Sequence, residues 1–261
     1  MTRWKRILVP LGIMLVTCVG YLWFFGTQTF FVLEAHNVAR KLPFVKRMPI
    51  VLTDTSVSRK AGMNLSYFGY DFQVPWTDLD KEKTKIIGGN KAIIAFRSGN
   101  VLSVWSGRPH EFMDGVLKEA KVDRDDFRKL YGDDALKSDY DFKRLILEST
   151  PDKITLLTSD QTAASQWVLL MLKSICVPGD PNSGIYVVQG KEFKGFQYGR
   201  PQNPPKPLSG ELFPENGHLD LIFGQKQNGT TIISQADITR ILQTIHKTSV
   251  ELALRTGEAH N

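Results

Sequence analysis

Residues 68–76 read Phe-Gly-Tyr-Asp-Phe-Gln-Val-Pro-Trp, and in this segment large apolar side chains alternate with small or polar ones. A period of two that is sustained over a whole segment is typical of a β-strand with one buried face. Pro75 lacks the backbone N–H that a central strand donates, so we expect the strand to end there or to lie at a sheet edge. The alternating face comprises Phe68, Tyr70, Phe72, Val74 and Trp76.

Further strands are predicted on both sides of this segment. Gly88-Gly89-Asn90 and Ser98-Gly99-Asn100 separate short apolar runs, a pattern that predicts an antiparallel meander. Near the C-terminus, Asn216-Gly217 favours a two-residue hairpin turn. The predicted strands outside the opening segment cover residues 50–52, 92–96, 101–105, 185–188, 193–198, 208–213, 219–223 and 230–233.

The middle of the sequence, from about residue 110 to residue 177, has a helical period instead. Its most apolar helix is predicted over residues 159–176. Within that helix Trp167–Leu172 is apolar on every side, but it is much shorter than the ~20 residues that a membrane span needs. We therefore predict a buried helix laid across the sheet.

Two helix starts carry capping signals. Ser138 is followed three residues later by Asp141, and Ser234 is followed three residues later by Asp237. A hydroxyl and a carboxylate at this spacing can satisfy the backbone N–H groups of the first helical turn. The order of elements is strands, helices, strands and a last helix, which predicts an α+β domain with an antiparallel β-sheet covered by helices.

The segment Gly69–Trp76 is similar to the first strands of PsbP-like extracytoplasmic α/β/α sandwich domains, which carry a Gly-aromatic-x-aromatic run leading to Pro and Trp. In this chain Pro75 and Trp76 are adjacent rather than spaced. The resemblance implies a fold and a binding or assembly role. It transfers no site residue.

The N-terminal segment Ile7–Phe25 contains no charged residue and follows Arg3, Lys5 and Arg6. A helix of this length spans ~28 Å, close to the ~30 Å hydrocarbon core of a bilayer, so we predict a transmembrane helix. A cleaved signal peptide is the alternative, but no small-x-small cleavage site follows the segment. The basic flank indicates that the N-terminus is cytoplasmic and that the rest of the chain is extracytoplasmic.

We predict four regions along the chain. Residues 1–33 form a cytoplasmic tail and transmembrane anchor, 34–47 a basic juxtamembrane linker, 48–250 the extracytoplasmic α+β domain, and 251–261 a flexible tail. A solvated linker without lipid contact is the alternative interpretation of residues 34–47. The linker residues that we expect within reach of lipid headgroups are Arg40, Lys41, Lys46 and Arg47.

The composition argues against a nucleic-acid-binding protein and against a disulfide-stabilised domain. The chain has 33 Lys and Arg residues and 27 Asp and Glu residues, and removing residues 1–33 leaves 30 basic and 27 acidic side chains. Without a clustered basic face, a nucleic-acid partner is not expected. Cys176 is the one cysteine outside the apolar N-terminal segment, so the domain cannot form an intramolecular disulfide bond.

The sequence contains no motif for a nucleophilic serine, a phosphate-binding loop, a redox dithiol or a zinc protease. We therefore expect no cofactor and no metal site, and we predict a non-catalytic, membrane-anchored binding or assembly module of the cell envelope. Its expected partners are the lipid bilayer and either an envelope protein or an apolar ligand. The candidate ligand or partner surface comprises Phe68, Tyr70, Phe72 and Trp76; in the alternative interpretation these side chains fill the core.

The second hypothesis is a membrane-tethered hydrolase with a site assembled around His110 or His218. Asp220 is predicted on the same strand face as His218. A pocket in which either histidine meets a carboxylate and a serine or threonine would favour this hypothesis. An exposed apolar groove without such a cluster would favour the binding module.

Overall fold

The computed structural model describes residues 26–53, 56–177, 184–201, 208–215, 217–225 and 233–248. These residues belong to two units. Unit 1 contains the described parts of Met1–Met48 and Ile146–Pro181, and unit 2 contains those of Pro49–Leu145 and Asn182–Asn261. The helical middle of the sequence is therefore divided between the units after Leu145.

Unit 2 is built on two β-sheets. In chain order its described strands are β1 (Ile50–Val51), β2 (Met63–Tyr67), β3 (Tyr70–Val74), β4 (Lys85–Ile87), β5 (Lys91–Ala95), β6 (Asn100–Gly107), β7 (Ile185–Gln189), β8 (Phe193–Tyr198), β9 (Leu208–Pro214), β10 (His218–Gln225) and β11 (His246–Lys247). The larger sheet has the order β1-β7-β8-β9-β10-β6-β5-β4, and the smaller has the order β11-β3-β2. The pairs other than β1 and β7 are antiparallel, as predicted. β1 pairs with β7 in parallel, which departs from the predicted antiparallel sheet.

The alternating segment forms β3 and the turn before it. Phe68 and Gly69 have φ angles of 54° and 79°, and they join β2 to β3 as a two-residue turn closed by the Tyr67–Tyr70 pair. The prediction that Phe68 belongs to the strand is therefore wrong. Positive φ at both positions gives a turn whose twist matches that of the flanking strands, and this places Phe68 outside the ladder. β3 ends at Val74, so Pro75 follows the strand end as predicted.

One face of the larger sheet packs against β3 and the last helix, α6 (Gln235–Thr244). The start of α6 confirms the predicted capping box, because Asp237 N–H donates to Ser234 Oγ over 3.1 Å and Ser234 N–H donates to Asp237 Oδ2 over 3.0 Å. The core on this face includes Phe72, Val74, Trp76, Ile94, Leu102, Val104, Leu212, Leu219, Leu221, Phe223, Ile238, Ile241 and Leu242.

The other face of the larger sheet is covered by helices. These are α2 (Glu111–Ala120) and the first part of α4 (Asp139–Glu148). The helix between them, α3 (Arg124–Tyr131), packs on α4 through the rings of Phe127 and Phe142. The ring of Phe112 lies 5.9 Å from that of Phe213, and the ring of Tyr140 stacks on Phe196 at 5.3 Å. Because residues of opposite parity on a strand face opposite ways, Phe213 points away from the core side that Leu212 occupies. The α+β class is therefore confirmed.

Unit 1 contains α1 over residues 26–41, the end of α4, and α5 (Asp160–Cys176). Leu170 of α5 is fully buried, whereas Met171 is 41% exposed and Ile175 is 39% exposed. Trp167 is half-buried. The predicted buried helix is therefore buried on the side that carries Leu169, Leu170 and Leu172, while the described residues leave Met171 and Ile175 accessible.

None of the helices among the described residues has both the length and the apolar character that a membrane crossing requires. The predicted anchor Ile7–Phe25 lies outside the described residues, as do the turn residue Asn216 and the predicted tail 251–261. The predicted strand 230–233 lies outside them except for Ile233, which precedes α6.

Candidate functional site

A cleft of about 1000 Å³ opens in unit 2. Its apolar wall combines Phe193, Leu212, Leu219 and Ile245, which come from β8, β9, β10 and the residue after α6. Its charged rim comes from the residues before α2, the start of α4, the loop between β7 and β8, the residue after β9, and β11. The charged residues of the lining are Lys137, Asp139, Asp141, Lys191, Glu192, Lys194, Glu215 and Lys247, with His110 and His246.

The starts of α2 and α4 both lie at this cleft. His110 precedes α2 with a left-handed φ of 63°, and its side chain makes no capping hydrogen bond. Ser138 caps α4, as predicted: Asp141 N–H donates to its Oγ over 3.1 Å, and the hydroxyl donates to Asp141 Oδ2 over 2.7 Å. The N-terminal ends of both helices therefore face the same space, where each carries a partial positive charge.

Asp139 joins these two helix starts. It is buried, and its Oδ1 accepts a hydrogen bond from the backbone N–H of Met113 over 3.0 Å. Burial raises the pKa of the Asp139 carboxyl, while the Met113 N–H and the nearby imidazoles of His218 and His110 oppose the rise. The carboxyl group therefore serves mainly as a structural acceptor within the cleft lining.

Of the two histidines in the hydrolase hypothesis, His110 is the one that lines the cleft. Its Nδ1 is buried and has no hydrogen-bond partner among the described residues. The hydroxyl of Ser138, which also lines the cleft, donates to Asp141 and not to this imidazole. A histidine, a carboxylate and a serine thus share one cleft without forming the hydrogen-bonded chain of a hydrolase.

His218 does not line the cleft. It is buried between aromatic rings, stacked on Phe213 at 5.0 Å and 5.6 Å from the ring of Phe112. Its Nε2 lies 2.8 Å from Oδ1 of Asp220, which confirms that the two side chains share a strand face. The two atoms lie at hydrogen-bonding distance, although neither makes a hydrogen bond of good geometry within the described part of the chain.

The protonation of His218 reflects its acidic surroundings. Burial by itself lowers the pKa of the imidazole, but the carboxylate of Asp220, followed by those of Glu211 and Asp139, outweighs burial and raises the pKa. Because this histidine is enclosed, its charge stabilises the fold rather than serving a substrate.

A buried ion pair that the sequence analysis missed lies under α4. Lys143 is fully buried, and its Nζ lies 3.1 Å and 2.8 Å from the two carboxylate oxygens of Glu211. The hydroxyl of Tyr198 donates to Glu211 Oε2 over 2.7 Å, and the ring of Phe112 lies 4.6 Å from the ammonium nitrogen. The signal was present, since Lys143 precedes Ile146 by three residues and Leu147 by four, on the apolar face of α4.

Unit 1 contains a second buried lysine that the sequence analysis missed. The Nζ of Lys173 donates to the backbone carbonyl oxygens of Arg47 over 2.7 Å, Leu147 over 2.7 Å and Ser149 over 2.6 Å. Burial lowers the pKa of this amine to about 7, and Lys153 adds to the effect. The three carbonyl acceptors match the three N–H groups of an ammonium ion and oppose that shift.

The predicted ligand or partner surface is divided between the core and the cleft. Phe72 is 1% exposed and Trp76 is 5% exposed, and Trp76 packs on Phe96 at 4.8 Å. Neither lines the cleft, so neither presents a surface to a ligand. Phe68 lies in the turn before β3, partly buried against the core. Tyr70 is the one member of the predicted set that lines the cleft.

The predicted membrane-surface residues lie in and after α1. Arg40 and Lys41 are exposed in its last turn, Lys46 is exposed in the short 3₁₀ helix Pro43–Lys46, and Arg47 follows it.

Cys176 is a buried thiol at the end of α5. No group of three or more His, Cys, Asp or Glu side chains in the described ranges is placed to hold a metal ion.

Comparison of this chain with protein-family models, with curated proteins and with solved structures found no match.

Proposed function

We propose that this chain is a membrane-anchored, extracytoplasmic binding module of the cell envelope, that it is non-catalytic, and that the cleft of unit 2 is its ligand site. The observation that carries the proposal is the composition of the cleft lining. Four apolar side chains form one wall, while charged side chains and two helix starts form the rim. Small-molecule sites combine these features, because the apolar wall supplies affinity and a few polar groups fix orientation.

Several ionisable side chains in and near the cleft already bond to other protein groups, and this supports a binding role over a catalytic one. His218, Asp220, Lys143 and Glu211 pair with one another in the protein interior. Ser138 is used as a helix cap. General acid–base or nucleophilic catalysis needs an ionisable group or a hydroxyl within reach of the substrate. The four paired side chains do not line the cleft, and the Ser138 hydroxyl is already used in the helix cap.

The localisation part of the proposal comes from the segment Ile7–Phe25 and its basic N-terminal flank. A reporter that is active only in the cytoplasm is expected to be inactive when fused after Asn261 and active when fused before Met1. Activity of the C-terminal fusion would contradict the proposed orientation.

The binding proposal is tested by filling the cleft from its rim. Glu215 lines the cleft and is exposed, so Glu215→Trp places an indole there without disturbing the core. The matched control is Glu82→Trp, at an exposed position away from the cleft. With the full chain in nanodiscs, we expect saturable binding of octanoate to wild type and E82W, measured by calorimetry against empty nanodiscs, and no binding to E215W. Equal heats for the two variants would contradict the assignment of the cleft.

A hydrolase is the second candidate, favoured by the presence of His110, Ser138 and Asp139 in one cleft. It predicts cleavage of soluble p-nitrophenyl esters by the purified chain, with loss of activity in His110→Gln. Activity that is absent in wild type, or retained in H110Q, would remove this candidate.

A further inference from the structure

The positive and negative side chains that line the cleft are equal in number, but more of the carboxylates than of the lysines are already bonded to other groups of the protein. Four lysines face four carboxylates, as the lining shows. Asp139 accepts from Met113 N–H and Asp141 accepts from the Ser138 hydroxyl. Glu192 Oε2 accepts from the backbone N–H of Lys247 over 2.9 Å. Three of the four carboxylates are thus already hydrogen-bonded by the protein.

The lysines of the lining are less often bonded to other protein groups than its carboxylates are. The ammonium groups of Lys137, Lys191 and Lys247 form no ion pair with any residue in the described ranges, although all three side chains are exposed at the rim. The fourth, Lys194, lies over the ring of Tyr140 at 5.6 Å. Cations that the protein has not paired remain available for charge-assisted hydrogen bonds to an incoming anion.

Two further features favour negative charge at the same place. The N-terminal ends of α2 and α4 both face the cleft, and each presents the positive end of a ten-residue helix dipole. The imidazole of His110 adds a polar group whose Nδ1 has no partner among the described residues. The cleft therefore combines the apolar wall of Phe193, Leu212, Leu219 and Ile245 with a rim of exposed lysines that no described carboxylate pairs.

We propose that the ligand of this cleft is an anionic amphiphile: a small molecule with a carboxylate or phosphate group at the lysine rim and an aliphatic or aromatic body on the apolar wall. This inference rests on the proposed function, because it specifies the chemistry of the ligand for that same cleft. Lys191 and Lys247 are the residues that select the anion, and the apolar wall holds the body of the ligand.

The test compares three probes of the same length that differ in charge. The full chain is reconstituted in nanodiscs of zwitterionic lipid and titrated by calorimetry with octanoate, octanamide and octylammonium, against empty nanodiscs. Octanoate is expected to bind at least about tenfold more tightly than octanamide, a difference of about 1.4 kcal/mol, and octylammonium is expected to bind most weakly. Octyl phosphate, titrated beside inorganic phosphate, distinguishes a phosphate-bearing amphiphile from the free anion.

Two double variants with the same change in charge test whether Lys191 and Lys247 cause the preference for octanoate. Lys191→Glu with Lys247→Glu is expected to abolish the advantage of octanoate, whereas Lys85→Glu with Lys118→Glu, at exposed positions outside the lining, is expected to retain it. If octanamide or octylammonium binds wild type as tightly as octanoate, the anion inference fails while the proposed function stands. If inorganic phosphate binds as tightly as octyl phosphate, the amphiphile inference also fails. Absence of binding by all the probes contradicts the inference and the proposed function together.

Discussion

The Asp139 carboxylate accepts a hydrogen bond from the backbone N–H of Met113 over 3.0 Å, and this contact fixes the start of α4 against the start of α2. Both helix starts line the cleft, so the shape of the rim depends on a single buried acceptor. The ligand does not need to organise these helices, because the protein holds them in place beforehand.

Removing this acceptor is expected to destabilise the fold. Asp139→Ala leaves the Met113 N–H buried and unsatisfied, which costs about 1–3 kcal/mol in the free energy of unfolding. Asp139→Asn keeps an oxygen acceptor and removes a buried charge, so it is expected to be close to neutral. Asp134→Ala, at an exposed position of the same region, is the control. Urea unfolding measures all three, and equal stabilities for D139A and D139N would contradict the role given to the hydrogen bond.

His218 is expected to make stability depend on pH. The neighbouring carboxylates raise its pKa above the ordinary value of 6.5, so the folded chain holds a proton that the unfolded chain has released. The stabilisation is therefore complete below pH 6.5 and is lost as the pH rises through the raised pKa. His218→Phe should remove this slope, and His246→Phe, at an exposed position, should retain it. An unchanged slope in H218F would show that another group titrates.

The energetic coupling between Lys143 and Glu211 is expected to be strong. Removing one partner of a buried pair leaves an uncompensated charge, so Lys143→Met should cost about 3–5 kcal/mol. The double variant K143M/E211Q should recover most of that loss, since the introduced amide is neutral and its oxygen still accepts from Tyr198. A double-mutant cycle by chemical denaturation measures the coupling, and additive losses would mean that the two side chains do not stabilise each other.

Lys173 is expected to stabilise unit 1 through the three carbonyl groups that it contacts. Lys173→Met removes the donors from three buried acceptors, with an expected loss of about 3 kcal/mol. Lys153→Met changes an exposed lysine of the same unit and serves as the control, with an expected change within about 0.5 kcal/mol. A K173M chain as stable as K153M would show that water satisfies the carbonyl groups.

Local features of the fold could be predicted from the sequence. The capping box at Ser234 and Asp237 depends on residues three apart, and the alternation that ends at Val74 depends on a period of two. Both follow from backbone geometry within one element. The turn at Phe68 was missed because an aromatic residue with positive φ is uncommon, and its side chain continues the apolar alternation.

The site itself depends on contacts between distant residues. Asp139 reaches a backbone group 26 positions away, and Lys143 reaches a carboxylate 68 positions away. No periodicity in the sequence specifies such pairs, because sheet order and helix packing bring them together. The exposure of Met171 has the same origin, since an apolar residue is covered only where another element packs on it.

The central claim is that an anionic amphiphile binds in the cleft of unit 2, and amide chemical shifts of the ¹⁵N-labelled full chain in nanodiscs test it most directly. On titration with octanoate, we expect the largest shifts at the backbone amides of Gly190, Lys191, Gly217, Leu219 and Ile245, with saturation at one equivalent per chain. The same titration of E215W should leave these amides unshifted. Shifts that cluster on α5, or that fail to saturate, would contradict the assignment of the cleft as the binding site.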